Sequence, residues 1–117
     1  MIKQILFYAE IKTPPLEGVA RVEIGKCWRS FQNGEIPGAP AVKPVAQIGR
    51  QCYEIRHGTA QHNWRVYLAV RAYVAVLHLE DKKSDAIPKG TIEICKSRLK
   101  AYESAEKEFF KKNKGNL

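Results

Sequence analysis

The chain of 117 residues is short of three things: cysteine, acidic residues and long apolar runs. Each shortage excludes something. The longest apolar stretch, Val66 to Leu79, is broken by Arg71 and falls short of the roughly 20 residues that span a bilayer. The opening residues, Met1-Ile2-Lys3-Gln4-Ile5-Leu6, have neither the long apolar segment nor the small-residue cleavage site of a secretory signal. Together these features predict a cytoplasmic protein with no membrane partner. The cysteines, Cys27, Cys52 and Cys95, are odd in number and contain no CxxC pair. That pattern argues against a zinc site and against a disulfide framework, and predicts reduced, part-buried thiols.

What is present is a globular composition, 44% hydrophobic and 27% charged. The length predicts one domain over residues 1–117, large enough for a core of its own. Twenty Lys and Arg outnumber twelve Asp and Glu, a net charge of +8. Such an excess points to an anionic partner, most often nucleic acid. Part of it sits in a basic tail at about 107–117, which reads as a fraying, solubilising end. The rest is spread over Lys43, Arg50, Arg56, Arg65, Arg71, Lys82 and Lys83. It becomes a binding surface only if the fold gathers it.

Local patterning predicts an α+β fold, a small antiparallel sheet backed by helices in the order β-α-β-β-β-α. Met1 to Ile11 is strand-like. Thr13-Pro14-Pro15 prepares a helix, with Thr13 as a possible N-cap. Leu16, Ala20, Ile24, Cys27 and Phe31 recur at helical spacing, and Asn33-Gly34 ends the segment. Glu35 to Gly49, with three prolines, reads as an ordered loop. Cys52 to His57, Trp64 to Val70 and Tyr73 to Leu79 read as three antiparallel strands. Arg71-Ala72 is a poor two-residue turn, so the connection could be longer. After Pro88, Ile92, Cys95, Leu99 and Tyr102 form the apolar stripe of a second helix.

Alternation assigns the strand faces. Pairing His57 with Trp64 sets Arg56 opposite Arg65 and Glu54 opposite Tyr67. A two-residue turn at Arg71-Ala72 would set Val70 opposite Tyr73 and Arg65 opposite His78. One face then carries Glu54, Arg56, Arg65, Tyr67, His78 and Glu80. The other carries Ile55, Val66, Leu68, Ala75, Leu77 and Leu79, to be covered by both helices. Two readings of the charged face stay open. It is an anion cleft in which paired guanidiniums hold a phosphate, or a solvated face whose charges pair across strands. His57 and His62 read as plain surface residues, and the histidines lack metal-ligand spacing.

The ordered set Lys43-Pro44, Ile48-Gly49, Cys52-Tyr53-Glu54-Ile55-Arg56 and Trp64-Arg65-Val66-Tyr67 carries a resemblance. Val76-Leu77, Lys82-Lys83, Pro88 and Cys95-Lys96-Ser97-Arg98-Leu99 continue it, with Ile11-Lys12-Thr13-Pro14-Pro15 near the start. Over residues 10–103 the chain resembles the phage-derived HigB-like toxins of the RelE/ParE superfamily. The resemblance implies a RelE-like fold, a cytoplasmic location and a helix-turn-helix antitoxin as partner. It also implies action on mRNA at the translating ribosome, or on gyrase in other branches of the superfamily. Carried to this sequence, it makes Lys43, Arg50, Arg56 and Arg65 RNA-binding residues. Arg65, Lys82, Lys83, His78 and Glu80 become the catalytic set. The implied chemistry is attack of an RNA 2′-hydroxyl on its own phosphate, with no metal or other cofactor. Arg56 and Arg65 would hold the phosphate. A lysine whose pKa is lowered by cationic neighbours would assist, and His78 or Glu80 would move protons.

One segment departs from the family pattern. An aromatic residue and a basic run usually flank the Lys-Lys pair, whereas here Glu80-Asp81 precede it and Ser84-Asp85-Ala86-Ile87-Pro88 follow. These acids would repel phosphate, or else cap the second helix and pair with Lys82 and Lys83. The departure puts cleavage in doubt. A non-catalytic basic module that binds an antitoxin or nucleic acid is therefore the alternative, together with a gyrase-directed toxin.

Overall fold

The computed structural model describes residues 2–8, 11, 14–38, 41–82 and 86–114, with 113 and 114 described by backbone alone. It is an α+β fold with a five-stranded mixed sheet and two helices. The elements are β1 (Ile5–Phe7), α1 (Gly18–Gln32), β2 (Val42–Pro44), β3 (Cys52–Gly58), β4 (Asn63–Val70), β5 (Val74–Asp81) and α2 (Lys89–Lys114). Spatial order is β1-β5-β4-β3-β2. Strands β2 to β5 pair antiparallel, and β1 adds to β5 in parallel.

Residues of alternating orientation along β3 to β5 build two cores, one on each sheet face. Val66, Leu68, Ile55, Val74 and Val76 pack with Ala20, Ile24 and Phe31 of α1. Tyr67, Ala69, Cys52, Ala75 and Leu77 pack with Cys95, Leu99 and Tyr102 of α2. The helices therefore cover opposite faces. This corrects the expectation that both cover one face, and moves Ala75 and Leu77 to the α2 side. Cys27, Cys52 and Cys95 are free thiols.

The β4–β5 connection has three residues, so Val70 pairs with Val74 rather than with Tyr73. The ladder then slips between Tyr67 and Leu68. The bulge places two residues of β5, Leu77 and His78, against one of β4. As a result His78 falls opposite Tyr67, and Glu80, not His78, falls opposite Arg65. The β3–β4 register agrees with the sequence expectation in every pair it named: His57 with Trp64, Arg56 with Arg65, Glu54 with Tyr67.

Three further elements differ from expectation. The segment taken as a loop contains β2, an edge strand, where Pro44 is tolerated because no further strand needs its missing N–H. Helix α1 starts at Gly18 after an extended Glu17, so Pro14 and Pro15 precede it; Thr13 lies outside the described residues. The basic tail is helical as far as Lys114. Helix α2 runs antiparallel along β5. Thr91 meets Glu80, Arg98 meets Leu77, and Tyr102 meets Tyr73. Among the described residues, no helix is long and apolar enough to cross a membrane.

Candidate functional site

At the end of the sheet farthest from the β4–β5 turn, the α2-side face turns polar. Arg56 and Arg65 stand directly opposite each other on β3 and β4. Like charges so placed destabilise a ladder unless an anion separates them. Glu54, two residues along β3 on the same face, supplies it. Its carboxylate is fully buried. Oε1 accepts from Arg56 Nε at 2.7 Å and faces Lys43 Nζ at 3.9 Å, while Oε2 accepts from Arg65 Nη1 at 3.4 Å. A buried carboxylate is tolerable only with such charged donors around it.

The three cations differ in depth. The Arg65 side chain is 5% exposed, that of Arg56 26% and that of Lys43 49%. Arg65 thus underlies the cluster, and Arg56 and Lys43 form its outer rim. Sequence reasoning placed Glu54 on this face but gave it no site role. Its position on the same face, next along β3 from two facing arginines, was the available signal.

A second carboxylate lies beside the first. Glu80 Oε1 accepts from the Tyr67 hydroxyl and from Thr91 Oγ1, each at 3.1 Å. Tyr67 has no exposed surface, and burial, reinforced by Glu54 and Glu80, drives its phenol far above the ordinary value. It therefore stays a neutral donor. His78 Nε2 stands 3.7 Å from Glu80 Oε2, and its Nδ1 lies 3.4 Å from Arg98 Nη1. A guanidinium can only donate, so Nδ1 is the acceptor and the ring proton is assigned to Nε2, facing Glu80. Burial lowers the His78 pKa; Glu80 opposes the shift, and Arg98 and Lys82 add to it. At neutral pH the imidazole is neutral, with its one unprotonated nitrogen, Nδ1, turned to Arg98.

The cluster thus brings together Lys43, Glu54, Arg56, Arg65, Tyr67, His78, Glu80, Lys82, Thr91 and Arg98. Five cations face two carboxylates, leaving an excess of positive charge. Arg50 is not part of it. It precedes Cys52, which itself is four rungs, roughly 13 Å, from Arg56. The Arg50 carbonyl accepts from Arg71 Nη1 at 2.8 Å, at the opposite end of the sheet. Lys83 and Asp85 lie outside the described residues. His62, read as a plain surface residue, stacks on Trp64 and pairs through Nδ1 with Asp81 Oδ2 at 2.6 Å. Asp81 Oδ1 also accepts from the Asn63 N–H at 2.8 Å, tying the β3–β4 hairpin to the end of β5.

The arrangement has the parts to bind a phosphate at Arg56 and Lys43 and to exchange a proton at His78 or Glu80. Among the described residues, no group of three or more His, Cys, Asp or Glu is placed to hold a metal ion. No curated protein and no solved structure matches the chain. The family model for the phage-derived protein Gp49-like (DUF891) matches residues 15–100, a span that holds α1, all of β2 to β5 and every residue of the described cluster, and the chain belongs to that family.

Proposed function

We propose that this protein is the toxin of a type II toxin–antitoxin pair, a RelE/HigB-like mRNA endoribonuclease that acts on the translating ribosome. On this reading it works in the cytoplasm as a single domain and is neutralised by a helix-turn-helix antitoxin. The observation that carries the reading is the cation cluster built around buried Glu54, with neutral His78 at its side. Arg56 and Lys43 hold the scissile phosphate from the rim, and Lys82 adds positive charge close to His78. Arg65 acts from below by fixing Glu54, and so Arg56. The RNA 2′-hydroxyl gives its proton to Glu80, or to His78 Nδ1 once that nitrogen leaves Arg98. Its oxygen then bonds to phosphorus, the bond from phosphorus to the 5′-oxygen breaks, and that oxygen takes a proton from the group that received the first one or from solvent. The products are a 2′,3′-cyclic phosphate and a 5′-hydroxyl end. The fixed cations offset charge that develops on the phosphoryl oxygens.

Primer extension on a defined mRNA, with and without translating ribosomes, tests the reading. Cuts that need ribosomes and vanish in Arg56→Ala and Arg65→Ala support it. Absence of cuts from folded protein in both conditions refutes it. A second reading, a non-catalytic basic module that binds an antitoxin or nucleic acid, is favoured by one observation. Glu80 is already engaged by Tyr67 and Thr91, so its carboxylate is committed to internal hydrogen bonds.

A further inference from the structure

Next to the cluster lies a cleft of about 410 Å³, lined among the described residues by Lys43, Pro44, Val45, Gln47, Ala86 and Ile87. That volume falls in the range of roughly 300–1,000 Å³ usual for small-molecule sites. Its chemistry is split. Pro44, Val45 and Ile87 give apolar walls, and Gln47 brings one amide with both a donor and an acceptor. Lys43 is shared with the cluster, where its ammonium faces Glu54.

The turn that carries Gln47 is held at both ends. Val45 and Ile48 are buried in the α2-side core, the Val45 N–H donates to the Cys52 carbonyl at 2.9 Å, and the Ile48 N–H donates to the Val45 carbonyl at 3.1 Å. Gln47 itself is exposed. A polar side chain on a rigid turn, over apolar walls and beside a phosphate-sized group of cations, matches one ligand class. That class is a nucleobase whose backbone phosphate lies on the cations. An unstacked base presents a flat apolar face and an edge of donors and acceptors.

We infer that this cleft binds a single unstacked nucleobase of an RNA strand, with Gln47 reading its edge. The inference extends the proposed function by naming a base subsite, but base binding does not require cleavage. The test is NMR titration of the full chain with the four ribonucleoside 5′-monophosphates and with ribose 5-phosphate. Nucleotides should shift the signals of Val45, Gln47 and Ile87. Ribose 5-phosphate should leave those signals in place and move only the cluster. Contact of the base with the apolar walls at Pro44, Val45 and Ile87 separates the two probes. Ala86→Trp, a substitution at an exposed position, should fill the cleft and abolish the nucleotide shifts. Equal shifts with ribose 5-phosphate, or no shift with any nucleotide, overturn the inference.

Where ribosome-dependent cutting is found, Gln47→Leu should change the base preference at one position of the cleavage map. An unchanged preference overturns the role of Gln47. Nucleotide binding in the cleft without any cutting would refute the endoribonuclease reading and leave the base subsite standing.

Discussion

Replacing Glu54 by Gln removes one negative charge from beneath three cations and keeps the side-chain shape. The amide oxygen can still accept from Arg56. The amide nitrogen then faces Arg65, whose guanidinium is 5% exposed and cannot turn to water. Breaking a buried ion pair by removing one partner costs about 3–5 kcal/mol. Because one acceptor survives, the loss falls at the lower end, about 3 kcal/mol. With roughly 2.1 cal/mol/K of unfolding entropy per residue, 117 residues give about 0.25 kcal/mol/K, so the midpoint falls by roughly 12 °C. Urea unfolding and calorimetry of the parent and of Glu54→Gln measure the loss. The double variant Glu54→Gln/Arg65→Met should be less destabilised than the sum of the single variants by at least about 1 kcal/mol, because it leaves no buried charge unpaired. A Glu54→Gln protein within about 0.5 kcal/mol of the parent, or strict additivity in the double variant, would refute the argument that Glu54 holds the cations together.

The lowered His78 pKa implies a pH effect of defined sign. The unfolded chain takes up the proton near 6.5 and the folded chain only at lower pH, so stability falls as pH drops from 6.5 toward the folded value. His78→Gln should lose that part of the slope in urea midpoints, and an NMR titration midpoint at or above 6.5 would contradict it. Burial raises all three thiols, that of Cys95 up to about 12, but only Cys27 is half-buried rather than buried, so in native protein an aromatic disulfide reagent should label Cys27 first. Rapid native labelling of Cys95 would show that α2 opens from the sheet. Gly25 lies in the middle of α1 with open space where a Cβ would sit, so Gly25→Ala should raise stability by about 0.5–1 kcal/mol. Gly34 has φ +82° after the same helix, so Gly34→Ala should lower stability by about 1 kcal/mol in the same urea assay.

Much of this site was legible because strand alternation is rigid. Once His57 was set against Trp64, the pairs Arg56–Arg65 and Glu54–Tyr67 followed, and both are present. The partner of Arg65 on β5 was not legible. It depends on a three-residue connection and a bulge, and neither leaves a mark in the hydrophobic pattern. The same connection put Ala75 and Leu77 on the wrong side: with three residues Val70 meets Val74, and Val74 and Val76 join Val66 and Leu68 instead. Depth was the least legible property. Glu54 and Arg65 look like surface charges in a list of residues, and only the folded structure, with Lys43 of β2 beside Glu54, shows them to be buried. Strand β2 itself was hidden by prolines that an edge strand can carry.

The acidic departure around Lys82 takes a different meaning from these contacts. Free carboxylates at Glu80 and Asp81 would oppose any phosphate brought to Arg56. Both are instead consumed within the fold. Glu80 is bonded to Tyr67 and Thr91 beneath the surface, and Asp81 is turned to His62 and the Asn63 N–H on the hairpin side. Glu54 is likewise spent on the arginines that gather around it. Lys43 and Arg56 are the cations at the rim of the Glu54 cluster, and the carboxylate below fixes where they stand. A buried acid, Glu54, and a partly buried one, Glu80, can therefore organise an anion site rather than cancel it. The aromatic residue that the toxin pattern has at the position of Glu80 would have left the hydroxyls of Tyr67 and Thr91 without this acceptor.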